Sequence, residues 1–243
     1  MGSLLKNKKM KFICITEHLK KDSMDLFRFS GNNVIVLHDA ASPAPENNYI
    51  DQTPLIMEQR NLNVGYFGHL HQGRGVEIIE KLASRLPVIN FHVIGGQYEQ
   101  VEQRKFKNKK LKNLKFYGHL PYGDARLMMV KCDLLLLPYQ TRTFLTDGKT
   151  DTGRWMSPLK LFEYMSSNVA IISSDLPVLR EVLSHNKNCL LVEPSNLEEW
   201  ENAILSLTTD KLKALRLAQN ARAEYEKFYN WNIRARKILT ECI

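Results

Sequence analysis

Residues 113–137, NLKFYGHLPYGDARLMMVKCDLLLL, read as one strand–helix–strand unit. Leu114–Tyr117 predicts a strand that stops at Gly118, and Tyr122–Lys131 predicts a helix. Asp133–Leu137 predicts a second strand, a continuous apolar run of the kind buried on both faces of a parallel sheet. Upstream, Val64–Gly68 predicts a strand and Gly73–Arg85 a helix with Val76, Ile79, Leu82 and Ala83 on one face. Val88–Ile94 then predicts a strand ending at Gly95-Gly96, and Tyr98–Phe106 a helix. Downstream the same rhythm continues with Pro158–Ser167 (helix), Val169–Ser173 (strand), Val178–Leu183 (short helix) and Cys189–Val192 (strand). A helix over Ser195–Leu207 opens on a capping box of Ser195 and Glu198, and two helices over about 210–229 and 232–241 close the chain. Six strands alternating with helices predict an α/β fold, a Rossmann-like doubly wound parallel sheet.

Before Asn63 the rhythm is different. Phe12–Thr16, Glu17–Phe27 and Val34–Leu37 predict strand, helix and strand. A polar stretch from His38 to about Leu62 follows, with Pro43, Pro45 and Pro54, and is the best linker in the chain.

The composition is that of an ordinary globular protein. Of 243 residues, 44% are hydrophobic and 25% charged, with 12 Gly and 9 Pro, which excludes disorder and collagen-like repeats. No segment approaches the roughly 20 apolar residues that span a bilayer. Cys14, Cys132, Cys189 and Cys242 lie far apart, without metal-site spacing, and the three inside apolar segments read as buried, reduced thiols in a cytoplasmic compartment. A net charge of +8 points to an anionic partner: nucleotide phosphates, nucleic acid or an acidic membrane surface.

In a doubly wound sheet, ligands bind beyond the carboxyl ends of the strands, so the loops there are the informative ones. The first runs from Gly65 through Gly68, His69, Gly73 and Arg74 to Gly75. Its glycines let backbone amides approach a phosphate beside Arg74, or serve a tight turn that needs glycine backbone angles. The second is Ser157-Pro158-Leu159-Lys160, with Ser157 as N-cap, Pro158 in the first turn, and the free amides of Leu159 and Lys160 as an anion site. Lys160 and Glu163 share a helix face, either as a cation beside phosphates with a carboxylate one turn deeper, or as a plain surface ion pair. The third, Gly118-His119, could offer its backbone to the edge of a base. Arg104–Lys115 holds seven cations in twelve residues, a footprint for nucleic acid or anionic lipid, or a solvated face. Tyr225, Phe228, Tyr229 and Trp231 read as packing residues, or as an amphipathic membrane contact.

Taken in order, NVGYFGHLHQGRGVEII, FHVIGG, NLKFYGHLPYGDARLMMVKCDLLLLPY, SPLKLFEYMSSNVAIISSDLPVLREVL and NCLLVEPSNLEEW resemble the C-terminal half of a GT-B glycosyltransferase of the family-4-like, group 1 set. The resemblance implies a domain over 63–243 that binds a nucleoside diphosphate sugar as donor substrate, without a further cofactor. It also implies a linker over 46–62 and, over 1–45, a remnant of the acceptor domain of a truncated or fragmentary enzyme. Glu163 matches the second acidic residue of the family's E-x7-E pattern, which holds the donor ribose. Arg74 matches the basic residue that neutralises the diphosphate, Leu159 and Lys160 the helix start beside the phosphates, and Gly118-His119 the base-contacting loop. Arg74, Lys160 and Glu163 are thus the implied catalytic set, and Gly68, His69, Gly118, His119 and Leu159 the implied substrate contacts.

Two departures stand out. Trp155 occupies the place of the pattern's first glutamate, which orients the donor sugar. His69 stands where many members carry Arg, which would make the phosphate clamp weaker or pH-sensitive. The loop Thr141–Met156 offers Asp147, Asp151 and Arg154 as substitutes. The implied reaction is retaining transfer of a sugar to a saccharide or lipid-linked acceptor, at the cytoplasmic side, with peripheral contact with an anionic membrane as a further expectation and no nucleic acid partner expected. Its rivals are a scaffold that keeps the fold without turnover and a basic nucleic-acid-binding module.

Overall fold

The computed structural model describes residues 11–27, 33–45, 61–145 and 147–242; of the linker expected over 46–62, all but Asn61 and Leu62 lie outside these residues. Six parallel strands form the main sheet: β3 (Asn63–Phe67), β4 (Asn90–Ile94), β5 (Leu114–Gly118), β6 (Leu134–Leu137), β7 (Ala170–Ser174) and β8 (Leu190–Val192). Their spatial order is β5-β4-β3-β6-β7-β8. Counted within the sheet this is 3-2-1-4-5-6, so the winding reverses between β3 and β6, where a crevice opens at the carboxyl ends.

The alternation of side chains along each strand builds two cores. Val64, Tyr66, Phe91, Val93, Leu134, Leu136 and Ile172 face one way, packing against α2 (Val76–Arg85) and α6 (Leu197–Thr209). Phe67, Ile94, Leu135, Leu137 and Ile171 face the other way, under α4 (Tyr122–Lys131) and α5 (Leu159–Ser166). This two-sided burial is why the strands are mostly apolar on both faces, with Asn63, Asn90, His92, Lys115, Ser173 and Ser174 as the polar exceptions. Remaining helices are α3 (Tyr98–Lys107), α7 (Lys211–Phe228) and α8 (Trp231–Cys242), with a single 3-10 turn at Leu179–Glu181 in place of the helix expected over 178–183.

Three helix starts differ from expectation. The helix expected from Gly73 begins at Val76, because Gly73 and Gly75 hold φ of +85° and +82°. A Cβ on Gly75 would stand 1.7 Å from the Pro138 carbonyl oxygen, so this glycine serves close backbone packing rather than a ligand. The capping residue of α6 is Asn196, which accepts from the Glu199 amide, while the Ser195 hydroxyl turns to Glu193. Pro158 rather than Ser157 precedes α5, and the Ser157 hydroxyl instead accepts from the Asp39 amide at 3.3 Å. Cys14, Cys132 and Cys189 are buried free thiols.

Residues 12–27 and 33–45 make a small unit of β1 (Phe12–Cys14), α1 (Glu17–Phe27) and β2 (Val34–Val36), with the two strands parallel. It is tied to the main sheet at named points. The Glu181 carboxylate accepts from the Glu17 and His18 amides at 2.7 and 3.2 Å, and from His18 Nδ1 and His38 Nε2 at 2.5 and 2.9 Å. Asp22 accepts from Arg154 at 2.7 Å and from the Trp155 indole at 2.6 Å. Tyr225 donates to the Ala41 carbonyl, Arg126 to that of Ser42, and Arg234 to that of His38. Tyr225 is buried and Tyr229 packs on Phe162 and His38, so these two of the four C-terminal aromatics are packing residues; Phe228 and Trp231 are exposed.

Candidate functional site

The loops that follow β3, β4, β5 and β6 and the first turn of α5 enclose a cleft at the sheet's reversal point. It consists of two adjoining cavities of about 520 and 870 Å³ that share His69, Arg74, Gly96 and His119. All eight residues singled out in the sequence line it: Gly68, His69, Arg74, His119, Leu159, Lys160 and Glu163 the smaller cavity, Gly118 the larger.

Two cations dominate the floor. The Lys160 side chain is buried, its ammonium 4.2 Å from the Tyr66 ring centroid and 4.5 Å from that of Tyr139. Arg74 donates through Nη1 to the Tyr139 hydroxyl at 3.0 Å, with its guanidinium carbon 5.2 Å from the same ring. Among the described residues, neither the Lys160 ammonium nor Arg74 Nε has a hydrogen-bond partner. The surface ion pair that Lys160 and Glu163 could have formed does not exist: Lys160 is inside, and Glu163 is half-buried in the cleft wall. Burial, reinforced by the Arg74 charge, holds Lys160 well below the usual lysine range, and Glu163 only partly opposes this. Buried cations without a counter-charge are costly to keep in a folded protein.

The surrounding groups set the geometry. Gly68 makes room for Lys160, since a Cβ there would stand 2.9 Å from the ammonium. Tyr66 donates to the His69 carbonyl at 2.6 Å, and the His69 ring stacks on His71 with centroids 5.2 Å apart. Burial lowers the His69 pKa, and the neighbouring His71, Arg74, Lys160 and His119 lower it further. Gly118 holds φ +76° with open space where a Cβ would stand, and so presents bare backbone to the larger cavity.

The proposed substitutes for the missing glutamate are engaged elsewhere. Asp147 accepts from Thr150 and from the Lys149 amide, and Asp151 from the Thr143 and Gly153 amides. Arg154 and Trp155 hold Asp22. In the basic stretch, Arg104 pairs with Glu77 and Glu80, Lys105 with Glu102 and Lys107 with Glu80, so several of its cations are neutralised within the fold. Sequence reasoning missed Tyr66, Tyr122 and Tyr139 in this site. For Tyr139 the signal was present: an aromatic two residues beyond a fully buried strand at the ligand edge.

Residues 58–224, more than half of the chain, match the profile described as Glycosyl transferases group 1. The chain belongs to that family. No curated protein sequence matches this group 1 glycosyltransferase domain. Sucrose-phosphate synthase (tll1590) from Thermosynechococcus elongatus superposes on 98% of it, with a TM-score of 0.76 and 15% identity, using 59% of its own length. Anabaena Alr3699/HepE, solved in complex with UDP and glucose, superposes on 95% with a TM-score of 0.72 and 18% identity, using 62% of its length. WaaG, a glycosyltransferase involved in lipopolysaccharide biosynthesis, superposes on 96% with a TM-score of 0.71 and 14% identity, again over 62% of its length. At such identities the likeness is one of fold. The group 1 domain thus has the architecture of part of a GT-B enzyme and spans about three-fifths of the length of these structures. Among the described residues no helix is long and apolar enough to cross a membrane.

Proposed function

We propose that this group 1 glycosyltransferase domain binds the nucleoside diphosphate sugar donor of a retaining transfer to a saccharide or lipid-linked acceptor. The observation that carries the reading is the pair of unpartnered cation donors, Lys160 Nζ and Arg74 Nε, in the floor of the cleft. A diphosphate supplies the counter-charge that the fold withholds. On this reading Lys160, Arg74 and the amides at the head of α5 hold the diphosphate and stabilise the charge that develops on it as the sugar departs. Glu163, one turn along α5, accepts from the ribose hydroxyls, and the Gly118-His119 backbone meets the base. That Anabaena HepE is solved with UDP and glucose makes uridine the first base to test.

Thermal shift against UDP-, GDP- and ADP-sugars tests the reading. At least one should raise the melting temperature, and Glu163→Ala should abolish most of that rise. No stabilisation by any member, or stabilisation indifferent to Glu163→Ala, overturns it. Trp155 favours one second reading, a domain that binds donor without turning it over. With its indole on Asp22, the position that would orient the sugar presents no carboxylate. Donor hydrolysis assayed on the full chain separates the two, since a binding-only domain releases no free sugar.

A further inference from the structure

Tyr139 touches both cations of the cleft, and nothing in the family resemblance assigns it a role. Its hydroxyl accepts from Arg74 at 3.0 Å, while its ring face lies 4.5 Å from the Lys160 ammonium. The two cations come from different elements, Arg74 from the loop after β3 and Lys160 from α5, and neither has a carboxylate partner among the described residues. Without a shared neighbour, like charges would turn apart.

The tyrosine is itself held rigidly. The Pro138 carbonyl packs into the space that only a glycine at 75 leaves, and the Gln140 amide donates to the Gly73 carbonyl at 2.9 Å. Tyr139 is therefore clamped, one residue to either side, against the loop that carries Arg74. Its side chain is fully buried, and burial pushes the phenol up to about 12, so the hydroxyl stays neutral and free to accept from the guanidinium. A neutral acceptor fixes Arg74 without cancelling its charge, which a carboxylate in the same place would do.

We propose that Tyr139 is a positioning residue that aims Arg74 and Lys160 at two neighbouring phosphates, and so makes the cleft prefer a diphosphate over a monophosphate. The inference rests on the donor-binding reading above. One phosphate needs only one cation; the second cation adds affinity only if its direction is set beforehand.

The test is a double-mutant cycle read by calorimetric titration of the full chain with UDP, GDP and ADP and with the matching monophosphates. Tyr139→Phe keeps the ring beside Lys160 and Arg74 and removes only the hydroxyl that accepts from Arg74 Nη1. It should weaken the diphosphate about tenfold, the size of one lost charge-assisted hydrogen bond, and the monophosphate less than about twofold. In an Arg74→Ala background, Tyr139→Phe should have no further effect. A parallel loss for both ligands, no loss at all, or an undiminished effect without Arg74 overturns the proposal while leaving donor binding intact. If the unaltered chain binds none of the three diphosphates, the donor reading itself fails. Thermal melting without ligand separates any loss of fold, since Tyr139→Phe should melt within about 2 °C of the unaltered chain.

Discussion

Lys160 is an expensive residue. Its amine is buried against two aromatic rings with no hydrogen-bond partner among the described residues, so in the empty chain the protonated form is desolvated and uncompensated. Replacing it by Met fills the same space without that charge. Lys160→Met should stabilise the unliganded chain by about 1–2 kcal/mol, seen as a melting temperature higher by roughly 2–6 °C, while nucleoside diphosphate binding falls at least about tenfold. A loss of both stability and binding would show that the lysine is structurally required. His69 supplies the pH dependence. Its pKa is lowered in the empty cleft, by burial first and then by the surrounding cations. A bound diphosphate removes that repulsion and raises it, so binding takes up a proton. Donor affinity should be greatest below the pKa of the free state and should decline as pH rises through the higher pKa of the complex. A nucleoside diphosphate sugar measured at pH 6 and pH 8 should bind tighter at pH 6, and His69→Gln should flatten the difference.

At the scale of elements, two glycines with nearly the same backbone conformation should respond differently. Gly75 and Gly118 hold φ of +82° and +76°. An alanine at 118 meets open space and should cost only the left-handed penalty of about 1 kcal/mol. At 75 its Cβ would meet the Pro138 carbonyl at 1.7 Å, so the start of α2 or the turn after β6 must move. Gly75→Ala should cost several times more, about 3–5 kcal/mol, and urea denaturation of both variants measures the contrast. The same pair shows what the sequence could and could not convey. Strands β3 to β8 were legible because each is mostly apolar and alternates with a helix or turn, β6 and β8 without a polar residue, and their order placed the site at their carboxyl ends. The meaning of Gly73 and Gly75 was not legible, because their constraint lies in residues 138–143, far along the chain. Ser157 failed as a cap for the same reason: its hydroxyl meets Asp39, 118 positions away. For α6, both Ser195 and Asn196 had a glutamate three positions on, and the tie was decided by Glu193 taking the Ser195 hydroxyl. Tyr66 and Tyr139 look like core aromatics in sequence and are core aromatics in fact; only the arrival of two cations beside them makes them part of a site.

Across the whole molecule, the join between residues 12–45 and the main sheet centres on Glu181. Burial pushes its carboxyl up, but the hydrogen bonds from His18, the Glu17 amide and His38 outweigh it and hold the pKa below the ordinary value. A carboxylate lowered in this way contributes stability that is fully present above its unfolded pKa. That stability is lost as pH falls through the lower folded value, so the join should survive mild acid and open only in strong acid. Glu181→Ala should raise amide exchange at Glu17 and His18 at neutral pH while leaving β3, β4 and β6 protected, as hydrogen-exchange mass spectrometry would show; equal loosening of the sheet would mean the two parts unfold together. The same carboxylate decides where the chain can be trimmed. A minimal fragment begun at Asn63 would retain all six strands and the whole cleft, yet it would lose both histidines and both amides that surround Glu181. The acid would then face water in place of its four donors, and the Ala41, Ser42 and His38 carbonyls that receive Tyr225, Arg126 and Arg234 would be gone with them. Residues 11–27 and 33–45 thus act as an internal cofactor of the fold, a short piece whose removal would expose these polar groups along with the apolar surface that Ala41 and His38 cover on Tyr225 and Tyr229. A shortened version that starts at Lys11 keeps them satisfied.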